Sequence, residues 1–243
     1  MAGLSGRQIR KGVPNGRRIF GFDNDNNHLI VADPVQYRLG IWEKQKQAAT
    51  AIRSFGLQTP SVTTAGTATA RTTQGHWIRY NTAAVLNDWC GWTPNTWDIT
   101  RPVDLPSLRM SIQTPGTISN TRWWLGLFDQ LPAGFDDPAI HVAGFRFSTA
   151  AGDTNWMTCT NDAVAGGTQV SSGVAVAADT RYDLSLTFRN SGTVAFVIND
   201  EVIGSITTNI PGATTGIGIG MILQTLGAAT RYIFISHAAL TCL

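Results

Sequence analysis

Glutamate is nearly missing from this 243-residue chain, which contains only Glu43 and Glu201. No strand can therefore carry a cluster of glutamates. Cysteine is also scarce. Cys90, Cys159 and Cys242 are widely spaced and odd in number, with no C-x-x-C, which excludes a disulfide framework and a cysteine-based metal site. Small buried hydrophobes is the reading that remains for them. The four histidines (28, 76, 141, 237) are dispersed, G-x-S-x-G is absent, and the "GIGIG" run at 216–220 has no helix after it. A serine-hydrolase elbow and a phosphate-cradling loop are thereby excluded. No window approaches the roughly 20 apolar residues of a membrane span, and the N-terminus has no apolar signal core. Synthesis in the cytoplasm, with no membrane insertion, is the expectation.

What is present is glycine (25), tryptophan (8) and a charge that is unevenly placed. Residues 1–50 hold eight Lys/Arg against four acids, whereas the remainder holds ten against twelve. Residues 1–32 have no sustained period, and turns are expected at Pro14-Asn15-Gly16 and Asn24–Asn27. Such a segment builds no core of its own and orders against a partner. Its apolar Ile19, Phe20, Phe22, Leu29, Ile30 and Val31 speak against a merely solvated tail. Arg7, Arg10, Arg17, Arg18, Phe20 and Phe22 are the candidate docking residues. With acids interleaved they make a poor phosphate tract, so the expected partner is protein and not nucleic acid.

A helix is expected next. Asp33 suits the N-cap, Pro34 the first position and Gln36 a near capping box. Val35, Leu39, Trp42, Ala49 and Ile52 follow at spacings of three, four and seven, and Gly56 and Pro60 end the run. The helix either packs on its own domain or forms a short self-associating stalk. From residue 59 the period becomes two. Tyr182, Leu184, Leu186 and Phe188 alternate on one face, as do Val194, Phe196 and Ile198. Short alternating runs between Gly, Asn and Asp turns predict an all-β antiparallel jelly-roll sandwich over 59–243, preceded by an arm and one helix over 1–58. The adjacent carboxylates Asp200 and Glu201 lie in "VINDEVI", which reads as strand, turn, strand. They mark a hairpin tip and do not face each other across a cleft.

Four stretches, "RWWLGLFDQLP", "DDPAIHVAGFRFSTAAGDTNWMTCTND", "GVAVAADTRYDLSLTF" and "TVAFVINDEVIGSITTNIP", resemble a recurrent module of tailed-bacteriophage virion proteins. The resemblance runs from about Leu105 to the C-terminus and more loosely from Phe55. It implies a concanavalin A-like lectin/glucanase jelly roll displayed on a particle, with the N-terminal segment docked to other virion proteins, usually as a homotrimer. The implied location is the virion, assembled in the host cytoplasm. A tail fibre or spike for attachment to host-surface glycan and a capsid decoration or head-fibre protein both fit this resemblance.

Two clusters are candidates for binding. Asp129, Asp136 and Asp137 lie in the loop "DQLPAGFDDPAIH", where clustered acids could ligate calcium or simply form a solvated loop with Asp-Pro turns. No D-x-D-x-D spacing is present, and no other cofactor is expected. Trp89, Trp92 and Trp97 in "NDWCGWTPNTWDIT" are candidate glycan-stacking rings; packing at the sandwich edge or in a subunit interface is the alternative. Trp123, Trp124 and Trp156 belong to strand alternations and are expected in the core, one of the adjacent pair facing outward. The E-x-D-x-x-E strand of concanavalin-like glycanases is absent. The expectation is a structural protein with no catalytic residues, not an enzyme.

Overall fold

The computed structural model describes residues 10–12, 18–23, 28–32, 38–43, 61–62, 67–70, 77–92, 100–132 and 134–241. The chain begins with β1 (Arg10–Gly12), β2 (Arg18–Asp23), β3 (His28–Ala32) and β4 (Arg38–Glu43), each antiparallel to the next. β5 (Ser61–Val62), β6 (Thr67–Ala70), β7 (Ile78–Asn81) and β8 (Trp89–Trp92) follow. The remaining strands are β9 (Ser107–Gln113), β10 (Thr121–Phe128), β11 (His141–Ser148), β12 (Asn155–Asp162) and β13 (Thr168–Ala175), then β14 (Arg181–Arg189), β15 (Thr193–Ile198), β16 (Glu201–Ile206), β17 (Gly218–Thr225) and β18 (Tyr232–Thr241). They form two antiparallel sheets. One runs β1-β2-β3-β4-β18-β9-β14-β15-β16, with β7 also on β18 and β6 on β7; the other runs β13-β12-β11-β10-β17-β8-β5.

The expected helix is corrected where the chain is described. Arg38–Glu43 is a strand, and its Arg38–Ile41 backbone pairs with Ala238–Thr241 of β18. Leu39-Gly40-Ile41-Trp42 fits a period of two as well as one of three to four. Gly40 weakens a helix, Ile41 and Trp42 favour extended chain, and the β18 edge supplies partners that no local signal announces. The rest of that segment, 33–37 and 44–60, lies outside the described residues, as do Arg7 and Arg17 of the proposed docking set. Among the described residues no helix is long and apolar enough to cross a membrane.

Alternation builds the core. On β14 the side chains of Tyr182, Leu184, Leu186 and Phe188 are buried, while Arg181 and Arg189 at its ends are exposed. With Leu108, Met110 and Ile112 of β9 and Val194, Phe196 and Ile198 of β15, they meet Trp123, Leu125 and Leu127 of β10, Phe145 and Phe147 of β11, and Trp156 of β12. The Phe145 ring sets its edge to Phe196 across the sheets at 5.4 Å, and Trp156 meets Tyr182 likewise at 5.5 Å. Truncating any one of these rings to Ala should cost about 3–5 kcal/mol.

Ile198 pairs with Glu201, which leaves a two-residue turn in which Asn199 and Asp200 both have positive φ, 52° and 64°. That is the turn type whose twist matches a hairpin, and Asn and Asp tolerate it. Asp200 is exposed at the tip, 3.2 Å from an Arg109 guanidinium nitrogen. The two outermost strands at this end of the sheets are both interrupted. The β12–β13 register shifts between Asn155 and Met157, opposite Gly173 (φ 75°). The β15–β16 register shifts beside Gly204 (φ 152°).

Candidate functional site

Every residue of β10 and β17 is buried, although alternate side chains point away from the sandwich. The outward set therefore has a cover of its own. Paired registers place four rows across the outer face of the seven-stranded sheet: Trp89–Gln224–Arg122–Ser148, then Gly91–Ile222–Trp124–Arg146–Met157, then Gly220–Gly126–Gly144–Cys159, then Phe128–Val142–Asn161. Trp124, Phe128, Val142, Cys159 and Ile222 form a second apolar cluster, against which Trp89, Ile140 and Met157 pack. Trp123 and Trp124 thus serve opposite faces, as expected, yet both are fully buried.

The glycine row explains how this layer closes. Trp124 and Phe128 are four residues apart on a strand, about 13 Å by strand rise. Their ring centroids nonetheless lie 6.4 Å apart, edge to face, because Gly126 between them has no side chain. A Cβ on Gly126 would stand 2.4 Å from the Ala143 carbonyl oxygen and 2.6 Å from Gly144 Cα. Both contacts are to backbone, so the strands would have to separate to admit it.

The loop between β10 and β11, residues 129–140, crosses this face and is fastened at both ends by charge. At one end Arg122 is buried and grips Asp136 with two bonds, Nε to Oδ1 at 2.6 Å and a terminal nitrogen to Oδ2 at 2.9 Å. Its other terminal nitrogen donates to Gln224 Oε1 at 2.8 Å. That oxygen also accepts from Gly134 N, and Gln224 Nε2 donates to the Asn87 carbonyl. Trp124 Nε1 donates to the Phe135 carbonyl at 3.0 Å. Arg146 grips Asp153 with two bonds of 3.0 and 2.9 Å and donates to Gln169 and to the Asp136 carbonyl. Burial alone would raise the Asp136 pKa. Hydrogen bonds from Arg122, with the charges of Arg122 and Arg146, outweigh it and hold the carboxyl below the usual aspartate range.

At the other end His141 is bracketed by two carboxylates. Its Nδ1 lies 2.7 Å from Asp129 Oδ2 and its Nε2 3.3 Å from Asp162 Oδ1. Asp129 Oδ1 accepts from His141 N, and Asp162 Oδ1 accepts from Gly212 N. One imidazole thus ties the loop, the end of β12 and the 209–216 segment together.

The fastened loop leaves an apolar rim at the Gln224 end. Phe135 at the loop tip is 62% exposed, and Val85 and Leu86 in the turn before Asn87 are 51% and 60% exposed. Trp89 stands half-buried in the same row as Gln224. Of the three tryptophans proposed as stacking rings, Trp89 is therefore on this face. Trp92 contributes backbone to β8 opposite Met221, and Trp97 lies outside the described residues. The three acids proposed for calcium have separate partners: Asp129 has His141, Asp136 has Arg122, and Asp137 accepts from Gly167 N at 3.1 Å. Among the described residues no group of three or more His, Cys, Asp or Glu side chains is placed to hold a metal ion. Cys90 and Cys159 are buried thiols outside any disulfide, and burial pushes both up to about 12.

Sequence reasoning missed Arg122, Arg146, Gln224 and Phe135. A signal for the arginines existed. "TRWW" and "GFRFS" set a guanidinium inside a strand of buried apolar residues, a position that arginine occupies only when paired.

No family model and no curated protein sequence matches the chain. Solved structures do. The GH16 protein of the Bacteroides ovatus mixed-linkage glucan PUL, solved with its G4G4G3G product, superposes with a TM-score of 0.51 at 11% identity, covering 72% of this chain and 84% of its own. The β-glucanase of Bacillus licheniformis gives 0.50 at 12% identity, covering 83% and 92%. A Shewanella oneidensis protein of unknown function gives 0.50 at 11%, covering 85% and 78%. The fold is thus a glucanase-like jelly roll. The exclusion of enzymatic activity made from sequence is overturned by this finding, since two of these structures are glucan-acting proteins on the same fold. The exclusion rested on linear motifs and spacings, whereas a sandwich joins carboxylates remote in sequence, as Asp129 and Asp162 meet at His141.

Proposed function

We propose that the chain is a carbohydrate-engaging subunit of a phage particle, a tail fibre or spike that contacts host-surface glycan through the Trp89–Phe135 rim. The observation that carries this reading is the rim itself: the exposed Phe135 ring, on the loop that the Arg122–Asp136 pair fastens, and the half-buried Trp89 at the same end of the face. Sugars offer a CH face to such rings. Supporting it are the sequence resemblance to virion proteins and a fold shared with a protein solved on an oligosaccharide product. In this reading residues 1–58 dock to neighbouring virion proteins and the particle carries the chain as a homotrimer.

The purified chain should compete with whole particles for adsorption to host envelope. Phe135→Ala, at an exposed site whose loss leaves the fold intact, should weaken competition about tenfold, the equivalent of one aromatic contact of about 1.4 kcal/mol. Unchanged competition would retire the rim as the contact surface. Soluble sugar released in the same assay would show whether contact is accompanied by cleavage. Locating the chain on the shell instead of the tail in a particle reconstruction would replace the fibre assignment by a decoration role.

A further inference from the structure

We propose that the rim selects an uncharged glycan, a neutral hexose or N-acetylhexosamine polymer, and turns away acidic polysaccharides. The inference rests on the carbohydrate reading of the same face and deepens it. It follows from where the charges of that face go. Both guanidiniums on the described part of the face are already engaged. Arg122 is matched to Asp136 and Arg146 to Asp153, each through two bonds no longer than 3.0 Å, and the two arginine side chains are only 7% and 4% exposed. A sugar carboxylate or phosphate binds tightly by taking a guanidinium fork for itself. Here it would have to displace a resident carboxylate, Asp153 at 5% exposure or Asp136 at 28%, and leave it without its partner, which is the costly way to break such a pair.

Along the loop between β10 and β11 the described charges that face solvent are carboxylates. Asp137 is exposed, the Asp162 side chain is 44% exposed, and Asp129 is half-buried, with His141 between Asp129 and Asp162. Arg231, at the far end of the loop after β17, donates to the carbonyls of Ser119 and Thr230. An acidic polymer laid along the loop therefore meets repulsion and, among the described residues of the face, no guanidinium without a carboxylate partner. A neutral sugar meets neither obstacle and has the rings of Trp89 and Phe135 to stack on. The arginines thus act as positioning residues for the loop that presents Phe135.

The test uses the full chain in affinity electrophoresis through gels containing neutral polymers (mixed-linkage β-glucan, dextran, chitooligosaccharide) or acidic ones (alginate, polygalacturonate, hyaluronan), at low and physiological salt. The expected result is retardation by one or more neutral polymers, little changed by salt and reduced about tenfold in apparent affinity by Phe135→Ala. Tighter binding of an acidic polymer, falling steeply with salt, would overturn the charge inference while leaving the carbohydrate reading intact. Binding to neither class would overturn the carbohydrate reading, and the inference with it. Retardation by neutral polymers that Phe135→Ala does not alter would place recognition elsewhere and overturn the assignment to this rim.

Discussion

Asp136 answers to two arginines at once, its carboxylate to Arg122 and its carbonyl to Arg146. Asp136→Asn should therefore do more than remove one bond, because it leaves the buried Arg122 without a counter-charge. The Asp136 side chain is 28% exposed, so the loss should be smaller than for a fully buried pair, about 2 kcal/mol by urea denaturation at pH 7. The pH dependence has a definite sign. Because the folded carboxyl sits below its ordinary value, its contribution is fully present above the unfolded pKa of about 4 and is lost as pH falls through the lower, folded one. The stability gap between wild type and Asp136→Asn should hold constant from pH 7 to 5 and shrink below about pH 4. A gap that shrinks between pH 7 and 5 would show that this carboxylate is not the fastener.

At the scale of elements, the third row of the outer face is the sharpest constraint. Gly126→Ala inserts a methyl where backbone stands 2.4 Å away, so the β10–β11 pairing must open or β10 must twist. The expected cost is about 3 kcal/mol, with near-ultraviolet circular dichroism changing as the Trp124–Phe128 contact is lost. An unchanged melting temperature would mean that the strands separate at little cost. These elements also show what could be read in advance. β14 and β15 were legible because each has one face in the core and one toward solvent, so period two stands out. β10 and β17 are covered on both faces, which erases the alternation and with it any hint of the outer layer. β4 was misread because its partner, β18, lies at the far end of the chain. Arg122 and Arg146 were visible as residues, but their partners come from the loop and from strands remote in sequence, and no spacing rule joins them. Trp89 was found by composition alone. Phe135 was passed over because its neighbours Asp136 and Asp137 suggested an acidic loop, whereas the fold turns one of those acids inward.

For the molecule as a whole, the core enclosed by the two sheets draws, among the described side chains, on strands from β7 onward, and β1–β3 continue the ladder outward from β4. Deleting residues 1–32 should therefore leave the sandwich folded, with an unchanged near-ultraviolet spectrum and intact glycan retardation, while abolishing incorporation into particles. Normal incorporation would show that the N-terminal segment is not the anchor. A melted sandwich would show that β1–β3 are integral to it.

The interrupted strands β13 and β16 bear on what happens when many copies are held side by side. An open sheet edge invites the next molecule to continue the ladder, and high local concentration makes that invitation hazardous. Here Gly173 and Gly204 break the ladder partway along each of these edges. A neighbouring chain can pair a few residues and then loses register. Neither of these two edges therefore offers a second copy an unbroken ladder to extend.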